Sequence, residues 1–191
     1  MKDKNFYEGG GITFSGGEPL LQIEEISELL NLIKNEFIHL AAETSLFCSI
    51  KQVKKAVEFF DLFYVDIKIA KKKKARDILK VDFESYLKNL NYLLNQDVSV
   101  IIRFPYIPGF TDGDNIIDVV NVLNSLNLNN VAKIEILKGH QLGKEKCLRI
   151  NDRLNNFFSN EIKISDEDLE NTKAIFQDAL NNKIYVEVKK L

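Results

Sequence analysis

The sequence predicts an α/β fold built on a parallel sheet. Three observations predict it: short runs rich in β-branched and aromatic residues, helical stripes between those runs, and their regular alternation along the chain. Strand, helix and strand repeated in this way require right-handed crossovers, which lay neighbouring strands parallel. No linker, repeat or composition break interrupts the pattern, so residues 1–191 read as a single domain.

The first strand run covers residues 12–15 and lies between two glycine clusters. Ile23, Ile26, Leu29, Leu30, Ile33 and Phe37 then recur at helical spacing, with Glu24, Glu25 and Glu28 in the early turns, where negative charge suits the helix dipole. Strand runs follow at 39–44 and 62–69. Phe83, Tyr86, Leu87, Leu90 and Leu94 form a second stripe ahead of a run at 98–106. Ile116, Val119, Val120 and Leu123 form a third, ahead of a run at 131–137. Ser165-x-x-Asp168 resembles a capping box and opens a last stripe of Leu169, Ile175, Phe176, Ala179 and Leu180, before a run at 184–188. Several runs are apolar at nearly every position, which predicts strands buried on both faces.

Composition excludes several function classes. Apolar residues make up 45% and charged residues 28%, a balance that suits a packed globular domain rather than disorder. Lys plus Arg is 26 and Asp plus Glu is 28, a net charge of −2 that gives no electrostatic case for nucleic acid or a membrane surface. No apolar run reaches membrane-spanning length, and Met1-Lys2-Asp3-Lys4-Asn5 leads into no signal-type stretch. The two cysteines, Cys48 and Cys147, are too few and too far apart for a disulfide framework or a thiolate metal centre. Cys48, among apolar neighbours, reads as a buried thiol, and Cys147 as a surface one.

Active sites of α/β folds lie at the C-terminal ends of the strands. There the sequence places Ser15-Gly16-Gly17-Glu18-Pro19, Glu43-Thr44-Ser45, Asp66-Ile67-Lys68, Arg103 and Lys138-Gly139-His140. Each alone is an ordinary loop start; together on one rim they predict a shared concavity. The glycine loop lets a ligand sit against bare backbone, and Pro19 stiffens entry into the next helix. It lacks the Gly-Lys-Ser/Thr ending of a phosphate loop, and Glu18 would repel a phosphate. The basic run Lys71-Lys72-Lys73-Lys74-Ala75-Arg76 reads as a solvated segment or as a face toward an acidic partner.

Gly10-Gly11-Ile12-Thr13-Phe14-Ser15-Gly16-Gly17-Glu18-Pro19-Leu20-Leu21-Gln22 resembles the signature segment of glycyl-radical-enzyme activating enzymes, the radical SAM family that includes pyruvate formate-lyase activating enzyme. Ala42-Glu43-Thr44-Ser45, Val65-Asp66-Ile67-Lys68, Ile102-Arg103-Phe104-Pro105 and Glu135-Ile136-Leu137-Lys138-Gly139-His140 follow in family order. The resemblance implies a partial (β/α) barrel of the radical SAM type, with its first strand missing, holding S-adenosylmethionine across its strand ends. Gly16, Gly17 and Glu18 would take the methionine ammonium. Asp66, Ile67 and Lys68 would approach the ribose and carboxylate, with Arg103 beside them and His140 near the adenosyl group. Glu43, Thr44 and Asp66 match a site for a monovalent cation, with Glu43 where the family carries Asp. Leu46 stands where the family often has Gly.

The family also carries a Cys-x-x-x-Cys-x-x-Cys loop for a [4Fe–4S] cluster, held by thiolates. This chain contains no such loop. Two readings of the resemblance therefore stand. One is an oxidoreductase-class activating enzyme that uses S-adenosylmethionine to generate a glycyl radical on a partner enzyme, in a cytoplasmic setting. The other is a non-catalytic module that binds S-adenosylmethionine or the partner. In both, the strand at 12–15 would be an open edge, and an upstream fragment supplying the first strand and the cluster loop is an expected partner. A third reading, without kinship, is a glycine-loop α/β domain for another small ligand.

Overall fold

The computed structural model describes residues 10–139 and 164–189. Six parallel strands form one sheet in the order β1-β2-β3-β4-β5-β6: β1 (Gly11–Phe14), β2 (His39–Thr44), β3 (Leu62–Asp66), β4 (Ser99–Tyr106), β5 (Val131–Lys138) and β6 (Val186–Lys189). All five pairings are parallel. Strands that neighbour in sequence also neighbour in space, so crossovers of one hand put the connecting helices on one face. This is the predicted α/β architecture, a sheet wound in a single direction as in a partial (β/α) barrel. Among the described residues, β1 and β6 are the two edges.

Among the described residues the helices are α1 (Ser27–Lys34), α2 (Ile50–Val57), a short α3 (Lys72–Lys74) continuing as a π-helical turn over Ala75–Leu79, α4 (Phe83–Leu93), α5 (Asp114–Asn124) and α6 (Asp166–Ala179). The Ser165 box is present in full: its hydroxyl accepts from the Asp168 N–H at 3.0 Å, while the Asp168 carboxylate accepts from the Ser165 N–H at 3.2 Å. The stripe of residues 23–37 is shorter than its pattern implied. α1 buries Leu30 and Ile33, but Leu29 is half exposed and Phe37, beyond the helix at a positive φ of 56°, is 98% exposed.

The core lies between sheet and helices. Phe60 makes edge-to-face contacts with Phe14 at 5.6 Å and Phe63 at 5.8 Å, while Phe104 of β4 packs on Phe176 of α6 at 5.2 Å. Burial on both faces holds for only part of the strands. In β3, Phe63 and Val65 are buried, while Leu62, Tyr64 and Asp66 are partly exposed. Successive side chains point to opposite faces, so the second face carries Glu43, Tyr64, Asp66, Arg103 and Glu135 in register across the strands. That face is the polar lining on which the site is built.

Candidate active site at the strand ends

The turn after β1 owes its shape to two glycines. Gly16 and Gly17 have φ of +83° and +44°, and a Cβ built on either meets nothing within 4 Å. The backbone therefore borders open space. Glu18 follows and caps the 3-10 turn Pro19–Gln22. Its Oε1 accepts from the Thr44 hydroxyl at 2.6 Å and from the Leu20 N–H at 3.3 Å. Its Oε2 accepts from the Ser45 N–H at 2.8 Å and the Ser45 hydroxyl at 2.6 Å. The Thr44 oxygen in turn accepts from the Leu46 N–H at 2.9 Å. Leu46 has a φ of 55° and is fully buried, so a side chain occupies the left-handed conformation that glycine adopts without penalty.

Arg103 of β4 is the centre of the polar face. Its Nη1 donates to Glu43 at 2.7 Å and its Nε to Glu135 at 2.9 Å, while its guanidinium carbon stands 4.0 Å from the Tyr64 ring centroid. Ser15 donates to the other Glu43 oxygen at 2.9 Å, which joins this row to the glycine turn. Glu135, only 1% exposed, also pairs with Lys133 at 2.9 Å and Lys189 at 3.5 Å. Burial alone would raise the Glu43 carboxyl, but hydrogen bonds from Arg103 and Ser15 and the Arg103 charge hold it below the ordinary glutamate value. Burial also acts to raise Glu135; hydrogen bonds from Lys133 and Arg103 reverse it and keep that carboxyl low. Burial lowers the Arg103 pKa less than the two carboxylates raise it. The guanidinium is thus fixed on two sides and stacked on a third.

Asp66, Ile67 and Lys68 leave the end of β3. Asp66 pairs with Lys68 at 3.1 Å. Ile67 is core, 1% exposed, and its N–H donates to the Arg103 carbonyl at 2.9 Å. Two side chains from behind hold this loop. The Tyr86 hydroxyl of α4 donates to the Asp66 carbonyl at 3.2 Å. Asn115 of α5, 4% exposed, donates to the carbonyls of Lys68 and Thr111, each at 2.9 Å, and accepts from the Ala70 N–H at 3.1 Å.

The structure brings the glycine turn, Glu43, Arg103 and the Asp66 loop to one rim. The three residues expected around a monovalent cation have separate partners: Glu43 meets Arg103 and Ser15, Asp66 meets Lys68, and the Thr44 hydroxyl turns to Glu18. Among the described residues, no group of three or more His, Cys, Asp or Glu is placed to hold a metal ion. Burial, with the Glu18 charge adding, pushes the Cys48 thiol up to about 12. His140 and Cys147 lie outside the described residues. The basic run is engaged with its own chain: Lys71 pairs with Asp118 at 3.4 Å, Lys72 pairs with Glu84, and Lys74 donates to the Phe110 carbonyl at 2.7 Å. Among the described residues, no helix is long and apolar enough to cross a membrane.

Sequence reasoning overlooked Tyr64, Glu135, Tyr86 and Asn115. A signal existed for the first two. Tyr64 precedes Asp66 by one strand period and so shares its face, and Glu135 is a charge inside an apolar strand, in register with Arg103. Nothing comparable marks Tyr86 or Asn115, whose partners are backbone groups of distant loops.

Residues 1–121 match the family described as the Radical SAM superfamily. Over 177 residues the chain is 34% identical to the 4-hydroxyphenylacetate decarboxylase activating enzyme of Clostridioides difficile (strain CD196), a match that covers 91% of this chain and 54% of that protein. Over 149 residues it is 35% identical to the pyruvate formate-lyase 2-activating enzyme of Escherichia coli (strain K12), covering 76% of this chain and 50% of that one. The chain thus spans about half the length of the curated relatives it matches. The crystal structure of a domain of pyruvate-formate lyase-activating enzyme from Bacteroides vulgatus ATCC 8482 aligns with a TM-score of 0.74 at 25% identity, covering 95% of this chain and 100% of that one. Streptococcus suis SuiB bound to S-adenosylmethionine shares the fold, with a TM-score of 0.67 at 13% identity over 94% of this chain and 39% of that one.

Proposed function

This chain belongs to the radical SAM superfamily, and from that premise we propose that it is the S-adenosylmethionine-binding barrel of a glycyl-radical-enzyme activating enzyme. The observation that carries the reading is the glycine pair at positive φ beside open space, joined through Ser15 and Glu43 to a fixed Arg103. The names of the relatives, activating enzymes for a decarboxylase and for pyruvate formate-lyase, support a glycyl radical enzyme as the partner. A cytoplasmic setting fits that partner.

The residues present fit S-adenosylmethionine. The turn at Gly16, Gly17 and Glu18 takes the ammonium of the methionine moiety on its backbone. Asp66 and Lys68 face the ribose and carboxylate, and Ile67, buried, serves through the backbone it anchors. Arg103 is bonded through Nε and Nη1 among the described residues, and we assign its Nη2 edge to a carboxylate or ribose oxygen. His140, outside the described residues, we assign to the adenosyl group on the family resemblance alone. When bound, S-adenosylmethionine supplies the 5′-deoxyadenosyl group; the chain's own residues orient it and offset its charges.

The residues present do not fit a [4Fe–4S] cluster. Three thiolates are needed and the chain has two cysteines. The activating reading therefore needs those ligands from another segment, such as the upstream fragment. The second reading is a module that binds S-adenosylmethionine or the partner without reducing it. Anaerobic reconstitution with iron and sulfide, read by EPR, separates the two: a stoichiometric [4Fe–4S] signal in this chain overturns the module reading.

Calorimetric titration of S-adenosylmethionine tests the site itself. Asp66→Ala removes the carboxylate at the β3 end, and Gly17→Val sets a branched side chain at positive φ into the open space. Each variant should weaken binding about tenfold or more, a loss of about 1.4 kcal/mol. No binding by the parent chain overturns the site assignment.

A further inference from the structure

The Glu18 carboxylate has its acceptor capacity filled by the chain itself. An ionised carboxylate offers about four lone-pair sites, and Glu18 accepts from Thr44, Leu20 and twice from Ser45. Two of these donors are backbone N–H groups and two are hydroxyls. Turning the carboxylate toward an incoming ammonium would strand them in a part-buried setting. The bonds also span the fold, since Thr44 and Ser45 end β2 while Glu18 ends the turn after β1.

We propose that Glu18 is a positioning residue and that its side chain is not the ammonium ligand. It clips the end of β1 to the end of β2 and so fixes the two positive-φ glycines, whose backbone carbonyls then receive the ammonium. This rests on the reading of the glycine turn as the S-adenosylmethionine site. Thr44 is the second half of the clip: its hydroxyl donates a hydrogen bond to Glu18 and accepts one from the Leu46 N–H, which sets its direction. Gly16 and Gly17 have no side chain with which to hold their own conformation, so the restraint must come from a neighbour.

Glu18→Gln, Thr44→Val, Thr44→Ser and the Glu18→Gln/Thr44→Val pair test the assignment, with two readouts. In the ligand-free protein, hydrogen exchange at the Ser45 and Leu20 amides should accelerate in Glu18→Gln and Thr44→Val and stay at the parent rate in Thr44→Ser. In titrations with S-adenosylmethionine, Glu18→Gln and Thr44→Val should each weaken binding about tenfold, the pair no more than Glu18→Gln alone, with Thr44→Ser retaining parent affinity. Binding of 5′-methylthioadenosine, which has no ammonium, should weaken far less in each. The proposal is overturned if Glu18→Gln weakens S-adenosylmethionine binding while the Ser45 amide keeps its parent exchange rate and Thr44→Val binds normally. If the parent does not bind S-adenosylmethionine, the site assignment falls, and the exchange pattern alone decides the clip: unchanged rates in both variants overturn it.

Discussion

Arg103 shows how much of this site is decided by single side chains. Glu43, Glu135 and Tyr64 hold it on three sides, and both carboxyls lie below the usual glutamate value. A depressed native pKa means that the unfolded chain takes up protons first as pH falls. The stabilisation from this row is thus present above the ordinary value of 4.5 and lost as pH falls through the lowered native values. Thermal unfolding followed from about pH 6 to about pH 3 should show a falling midpoint, and Arg103→Gln should make that fall shallower. Equal acid slopes in parent and variant would contradict the arrangement. Leu46 makes a different point: its left-handed backbone costs about 1–2 kcal/mol, yet its side chain is fully buried, and burying a leucine outweighs that strain.

At the scale of elements, end chemistry decided what the sequence revealed. The strand at residues 39–44 coincides with β2, and the Ser165 box marks the start of α6, because periodicity and capping are local signals. α2 passed unread. It has eight residues, three of them lysines, and buries only Val53 and Ala56. Its start is nevertheless a capping box, with Gln52 accepting from the Ser49 N–H at 2.8 Å and donating to the Leu21 carbonyl at 3.2 Å. Ser49→Ala should lower stability by about 1 kcal/mol, read as a shift in the urea midpoint at constant slope. The rim motifs were legible because they follow strands. The Glu18 clip was not, since its partners lie 26 and 27 residues away and meet it only when β1 and β2 pair.

At the scale of the whole molecule, the described residues form a sheet with helices on one face and polar side chains on the other. Apolar runs alone could not distinguish that from a sheet buried on both faces, because β4 buries Ile101 along with Ile102. The helical layer is pinned at its far end by Phe176 against Phe104. Phe176→Ala should cost about 3–5 kcal/mol and lower the unfolding temperature by about 10 °C; a shift under about 2 °C would mean that α6 contributes little to the fold.

Asn115 sets a limit on how this site could be reused. It belongs to none of the rim motifs, yet its amide ties the Lys68 carbonyl and the Ala70 N–H to a helix 45 residues further along the chain. The Asp66-Ile67-Lys68 segment is therefore not a portable cassette. Grafted onto another barrel without an amide at the matching place on the helix after the next strand, it would arrive with backbone groups unmatched and its acidic residue free to swing. The smallest transplantable unit is the loop together with that helix, two crossovers of the barrel rather than three residues.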